Sequence, residues 1–120
     1  MYKEKNDLIA AIATPYGKGA ISCIRISGEG SADFVRKITD YPFSDETKHA
    51  VMVPCRFHAG VKDKIMAVIY YNAKSYTGEE SAELYFHGGK VLTERALMGI
   101  LEAGARLAEA GEFTRRAFLN

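Results

Sequence analysis

The chain has 120 residues, 48% of them hydrophobic, which is enough for one core and too few for two ordinary domains. Lys+Arg 16 against Asp+Glu 15 leave a formal charge of +1, without the cationic surplus that phosphate neutralisation demands of an autonomous nucleic-acid binder. No apolar run is long enough to span a bilayer, and the expectation is a soluble, cytoplasmic protein.

The opening, MYKEKNDLIAAIATPYGK, sets basic residues before a short apolar run, but Asp7 and the brevity of LIAAIA argue against a secretion signal. DLIAAIAT (7–14) reads as a strand closed by a turn at Pro15–Gly19. AISCIRISG (20–28) reads as a second strand, stopped by Gly28 and Gly30. SADFVRKIT (31–39) then has helical spacing, with Ser31 as N-cap and Phe34, Val35 and Ile38 on one face. Residues 40–49, polar and containing Pro42, form a loop. AVMVPCRFHA and DKIMAVIYYNA flank Gly60 as a strand pair, the second nearly all apolar and therefore covered on both faces.

SYTGEESAELYFHGG (75–89) begins with a Thr77-Gly78 turn and alternates as a strand over 81–87. KVLTERALMGILEAG is the clearest helix, with an apolar stripe of Leu92, Ala96, Leu97, Ile100 and Leu101 and Gly104 as C-cap. ARLAEA reads as a short strand, and GEFTRRAFLN as a helical turn or two with Phe113, Ala117 and Phe118 inward. Together these elements predict one mixed-sheet α/β or α+β domain.

Alternation sorts the chemistry onto faces. On 81–87, Ala82, Leu84 and Phe86 share one side, and Ser81, Glu83, Tyr85 and His87 the other. On 21–27, Ser22, Ile24 and Ile26 lie opposite Ile21, Cys23, Arg25 and Ser27. Arg25 and Glu83 thus fall on one surface if the strands share a sheet. An exposed cross-strand ion pair contributes only about 0–1 kcal/mol and carries no function. The glycines of TPYGKGA and HGG favour a ligand instead, since side-chain-poor backbone at strand ends permits close approach. Both readings stay open from the residues alone.

His87 suits a general base or, more plainly, a structural hydrogen-bonder, and His49 and His58 lack ligand spacing for a metal. Cys23 and Cys55 sit in apolar runs without CxxC spacing and read as buried small side chains. YGKGA and HGGKV both fail the P-loop pattern, and neither GxGxxG nor GxSxG is present.

Three segments, IAAIATPYGKGAISCIRISG, SYTGEESAELYFHGG and AGARLAEAGEFTRRAFLN, together resemble the amino-terminal domain of the MnmE (TrmE) tRNA-modification GTPase family. The resemblance rests on T-P-x-G-[RK]-G, [IL]-R-[IL]-S-G, [SF]-[FY]-T-G-E, H-G-G and G-E-F-T-x-R-A-F-L-N, with residues 31–70 the loosely matching middle. It implies a single domain over residues 1–120, similar to the tetrahydrofolate-binding fold of aminomethyltransferases, that binds 5-formyl-tetrahydrofolate and forms homodimers. It also implies that intact members continue into a helical domain with an inserted GTP-hydrolysing domain, where GTP, magnesium and potassium belong. Such members act with the FAD-containing partner MnmG on C5 of the wobble uridine of tRNA, the folate supplying the carbon.

The family's folate contacts fall on Arg25 and Glu83, with Tyr85, His87, Gly88 and Gly89 as candidates for the pocket lining, and a third contact, a lysine, expected just beyond Asn120. A pterin ring presents N3–H and its 2-amino group side by side, a fork that the Glu83 carboxylate can accept in two parallel bonds. A guanidinium such as Arg25 suits the anionic glutamate tail or its neighbouring polar atoms. The chain departs from the family with Tyr16 and Ala110 in place of proline, and Tyr85-Phe86 in place of Gln and a small residue. Those departures motivate an alternative, a purely structural dimerisation module; a weaker one is a free-standing hydrolase using His87 and Glu83.

Overall fold

The computed structural model describes residues 7–13, 21–39, 51–56, 62–71, 76–87 and 89–120. The expected turn at Pro15–Gly19, the loop at 40–49, and Tyr16, His49, His58, Gly60 and Gly88 lie outside them. The strands are β1 (Ile9–Ile12), β2 (Ser22–Ser27), β3 (Val51–Arg56), β4 (Lys62–Tyr70), β5 (Ser81–Phe86) and β6 (Arg106–Leu107). The helices are α1 (Ser31–Thr39), α2 (Gly89–Glu102) and α3 (Glu112–Leu119). They make one small α+β domain on a sheet of order β3-β4-β5-β2-β1-β6. Only the β1–β6 pair is parallel among the described strands. Pro54 falls in β3, an edge strand, where a missing ladder donor is tolerated.

The alternation read from sequence is the one that forms the core. Ala10, Ile24, Ile26, Ile65, Ala67, Ile69, Ala82, Leu84 and Phe86 are buried on one face of the sheet against Phe34, Val35 and Ile38 of α1 and Ala96 and Ile100 of α2. Each large apolar side chain so buried contributes about 1.5–3 kcal/mol, so this layer fixes which face each strand presents. The opposite face is left for Cys23, Arg25, Glu83 and Tyr85. α2 ends as its Gly104 predicts: Gly104 N–H donates to Leu101 O and Ala105 N–H to Ile100 O, the paired closure of a Schellman turn. Among the described residues no helix is long and apolar enough to cross a membrane.

Two expectations are corrected. Ser31 does not cap α1 with its side chain; its hydroxyl donates to Gly28 O, and Glu80 Oε2 accepts the Ala32 N–H at 2.7 Å. A carboxylate from the approach to β5 does the capping, which suits the positive end of the helix dipole. α3 does not turn its apolar residues inward either. Phe118 is 88% exposed and Phe113 half-buried, while Glu112 and Arg116 are the buried pair. The inward face is charged because partners wait for it on other elements.

Candidate functional site

β2 and β5 run antiparallel with Arg25 directly opposite Glu83, and Val68 of β4 flanks Glu83 on the other side. Arg25 Nη2 donates to Glu83 Oε2 at 3.2 Å, the side chains being 26% and 16% exposed. This is a half-buried pair in a wall, not a fully solvated one. Tyr70, at the end of β4, donates its hydroxyl to Glu83 Oε1 at 2.8 Å, and Tyr85 donates to the same oxygen at 3.1 Å. The Cys23 thiol lies 4.0 Å from Oε2.

The guanidinium carbon of Arg25 sits 4.9 Å from the ring centre of Tyr76 and 5.7 Å from that of Phe113. At that range each ring holds the cation by about 0.5–1 kcal/mol, so Arg25 is steered from the T-G-E turn and from α3 at once. A cavity of about 130 Å³ opens here, lined by Arg25, Tyr70, Tyr76, Ser81 and Glu83.

The electrostatics follow from the carboxylate. The hydrogen bond to Glu83, reinforced by burial, pushes the Tyr70 phenol up to about 12. Burial first, then the neighbouring Cys23 and Glu83, raises Tyr85. Burial, with the Glu83 charge adding to it, lifts the Cys23 thiol to about 11. All three therefore stay protonated near neutrality, and the cluster is one ion pair ringed by neutral donors. It can bind through hydrogen bonds and stacking.

A second cluster adjoins the cavity. Arg116, 1% exposed, ion-pairs with Asp7 Oδ1 at 2.8 Å, Glu79 Oε2 at 2.8 Å and Glu112 Oε2 at 3.1 Å. Arg106 bridges Asp7 and Glu112 from the sheet edge, its Nε 2.6 Å from Asp7 Oδ2 and its Nη2 2.7 Å from Glu112 Oε2. Ser27 donates to Glu79 Oε2 at 2.7 Å and shares a 2.6 Å bond with Thr77. The network ties β1, β2, the T-G-E turn and α3 together, and two of those elements carry the rings against Arg25.

The structure thus brings Arg25 and Glu83 together, with the Tyr85 hydroxyl on the carboxylate. Tyr85 does not line the cavity, nor do His87, exposed at the end of β5, or Gly89, which opens α2. Tyr70 and Tyr76 were not singled out from the sequence, and Phe113 was expected there only as an inward-facing packing residue. A period-2 count along β4 puts Met66, Val68 and Tyr70 on one face, but only the strand register identifies it as the face of Glu83. Among the described residues no group of three or more His, Cys, Asp or Glu is placed to hold a metal ion.

Comparison with known proteins adds a lineage to this geometry. The model of the family described as "GTP-binding protein TrmE N-terminus" matches residues 8–120. A protein of Helicobacter pylori named tRNA modification GTPase MnmE is 46% identical over 116 residues, 96% of this chain and 25% of its own length. Proteins of the same name from Thermosipho melanesiensis and Chlorobium chlorochromatii are 40% and 37% identical, over 95% and 97% of this chain and 26% of their own length in each case. The chain spans about a quarter of the length of the curated relatives it matches.

Proposed function

Since the chain belongs to the TrmE N-terminal family, the amino-terminal domain of tRNA-modification GTPases, we propose that its cavity binds a reduced folate, 5-formyl-tetrahydrofolate, through Glu83 and Arg25. The observation that carries this is the direct Arg25–Glu83 pairing in the wall of a cavity that also presents two tyrosine rings. Glu83 supplies acceptors for the ring's adjacent N–H donors, and charge-assisted bonds of that kind are roughly twice as strong as neutral ones. Tyr70 and Tyr76 offer apolar walls to a flat heterocycle. Arg25, braced by Tyr76 and Phe113, holds a fixed positive charge for the anionic part of the ligand. At about 130 Å³ the cavity is well under the roughly 300–1,000 Å³ of a pocket for a drug-sized ligand, so it takes the ring end and leaves the tail outside.

When bound, the folate would supply a one-carbon unit for C5 of wobble uridine; the residues here bind and orient it. GTP hydrolysis, with its magnesium and potassium, and the encounters with MnmG and tRNA belong in this reading to the part of the relatives that this chain does not span.

Calorimetry with 5-formyl-tetrahydrofolate tests the proposal on wild type, Glu83→Ala and Arg25→Ala, each checked for folding by circular dichroism. Each substitution should weaken binding at least about tenfold, or about 1.4 kcal/mol. Unchanged affinity in both would remove these residues from the site. A second reading, a structural pairing module, draws on Val91 and Met98, two turns apart on α2 and both exposed, and on a Glu83 already satisfied internally. A dimer in sedimentation that takes up no folate would favour it.

A further inference from the structure

We propose that the Tyr70 hydroxyl is an internal stand-in for the ligand: it holds Glu83 Oε1 from the cavity side and leaves that oxygen when a ring edge with two adjacent N–H donors binds. The inference rests on the reading of Glu83 as the acceptor for such a ring.

It follows from counting lone pairs. A carboxylate offers two oxygens with about four acceptor sites between them. Among the described residues, Oε1 accepts from both Tyr70, at 2.8 Å, and Tyr85, at 3.1 Å. Oε2 accepts from Arg25 at 3.2 Å and has the Cys23 thiol at 4.0 Å, the limit of a sulfur contact. A two-pronged ligand needs one acceptor site on each oxygen. Oε2 can provide it beside Arg25 in exchange for the long thiol contact, whereas Oε1 holds two phenol donors at hydrogen-bond distance, so one phenol must yield.

Position decides which one. Tyr70 lines the cavity and Tyr85 does not. Tyr70 is the last residue of β4, opposite Ser81 at the start of β5, so its ring stands at the mouth of the strand pair. Tyr85 lies inside the sheet, with Cys23 and Met66 as cross-strand neighbours, two residues from Glu83 on its own strand. The ligand therefore arrives from the side of Tyr70. Tyr85 and Arg25 keep the carboxylate oriented while Tyr70 exchanges its bond for the ligand's.

The prediction has a sign that an ordinary orienting tyrosine would not produce. Tyr70→Phe keeps the ring wall and removes the competitor, so affinity for 5-formyl-tetrahydrofolate should rise about three- to tenfold, the worth of one net hydrogen bond. Tyr85→Phe should leave affinity unchanged or lower it. A ring fragment with the same donor pair and no tail, 2-aminopyrimidin-4-one, should show the same order of variants. A spectroscopic readout runs beside calorimetry: in protein carrying tyrosine labelled with carbon-13 at Cζ, ligand should shift the Tyr70 signal as its hydroxyl loses Glu83.

If wild type binds folate but Tyr70→Phe binds it equally or more weakly, the stand-in role is overturned while the folate reading stands. If wild type does not bind at all, both fall together. Should Tyr70→Phe fail to fold, the wild-type Cζ signal decides: no shift at saturating ligand overturns the proposal.

Discussion

Replacing Arg116 by methionine probes what holds α3 on the sheet. The substitution keeps most of the apolar stem and deletes a guanidinium that is 1% exposed. Asp7 and Glu112 are then left with Arg106 as their shared cation. Deleting one partner of a buried pair costs about 3–5 kcal/mol, because the surviving charge stays buried without its counter-ion. Arg106 softens this at Asp7 and Glu112, so the loss belongs near the lower figure, about 3 kcal/mol. For a domain with about 5–15 kcal/mol in hand, that is a fifth or more of its stability. At about 4 °C per kcal/mol for a chain of this size, Tm should fall by about 12 °C. The assay is urea unfolding by circular dichroism at pH 7 and fixed protein concentration. Arg115→Met serves as the surface control, since Arg115 pairs with exposed Glu109 and should lose no more than about 1 kcal/mol. If Arg116→Met loses no more than this control, the network does not hold α3 and the explanation of its charged inner face is wrong.

The same network predicts acid sensitivity. The Arg106 hydrogen bond, with its charge, holds Asp7 down to about 2. Burial would raise Glu112, but the Arg106 bond, the Glu109 N–H and both guanidinium charges outweigh it and bring it to about 2. Both folded values lie below the unfolded ones, so this stability is fully present above the ordinary carboxylate range and disappears as pH falls from about 4.5 towards 2. Urea midpoints should be flat from pH 7 to 5 and then drop steeply; midpoints that hold steady down to pH 2 would refute the assignment. Gly28→Ala tests a tight passage: Gly28 has φ +135°, and a Cβ there would sit 2.5 Å from Asp7 O and 3.0 Å from Leu8 Cα. Backbone must move to admit the methyl group, at about 1–3 kcal/mol, and a Tm within 2 °C of wild type would show that the approach is looser than it looks.

What the sequence showed clearly was parity. Alternation alone put Arg25 and Glu83 on the non-core faces of their strands, because Ile24 and Ile26 on the one and Leu84 and Phe86 on the other had to face the helices. Register was not legible: nothing local says that residue 25 meets residue 83 rather than 81 or 85, and that pairing is set by the whole ladder. Tyr70 stayed hidden for a related reason. β4 is apolar on both faces, so its pattern does not reveal which side a tyrosine takes. Tyr76 and Phe113 belong to a turn and a helix whose rings reach Arg25 only through tertiary placement. The inward charge of α3 was not legible because a Glu and an Arg four residues apart usually mark a solvated face; here Asp7 and Glu79 arrive from distant sequence to meet them.

T-G-E and G-E-F-T-x-R-A-F-L-N are two of the motifs that carry the family resemblance, and in space they are two halves of one latch. Thr77 bonds Ser27, Glu79 meets Arg116, and the Asn120 side-chain amide donates to Thr77 O at 3.1 Å. Gly78 has φ +75°, and a Cβ there would lie 2.8 Å from Asn120 Cβ, so the glycine is the space into which the end of α3 fits. Thr77, Gly78, Glu79, Arg116 and Asn120 are not among the residues that line the cavity. A match at these motifs therefore speaks for the scaffold, while the proposed ligand binding rests on Glu83 and Arg25, with Tyr70 as the competitor, and has to be measured at those side chains.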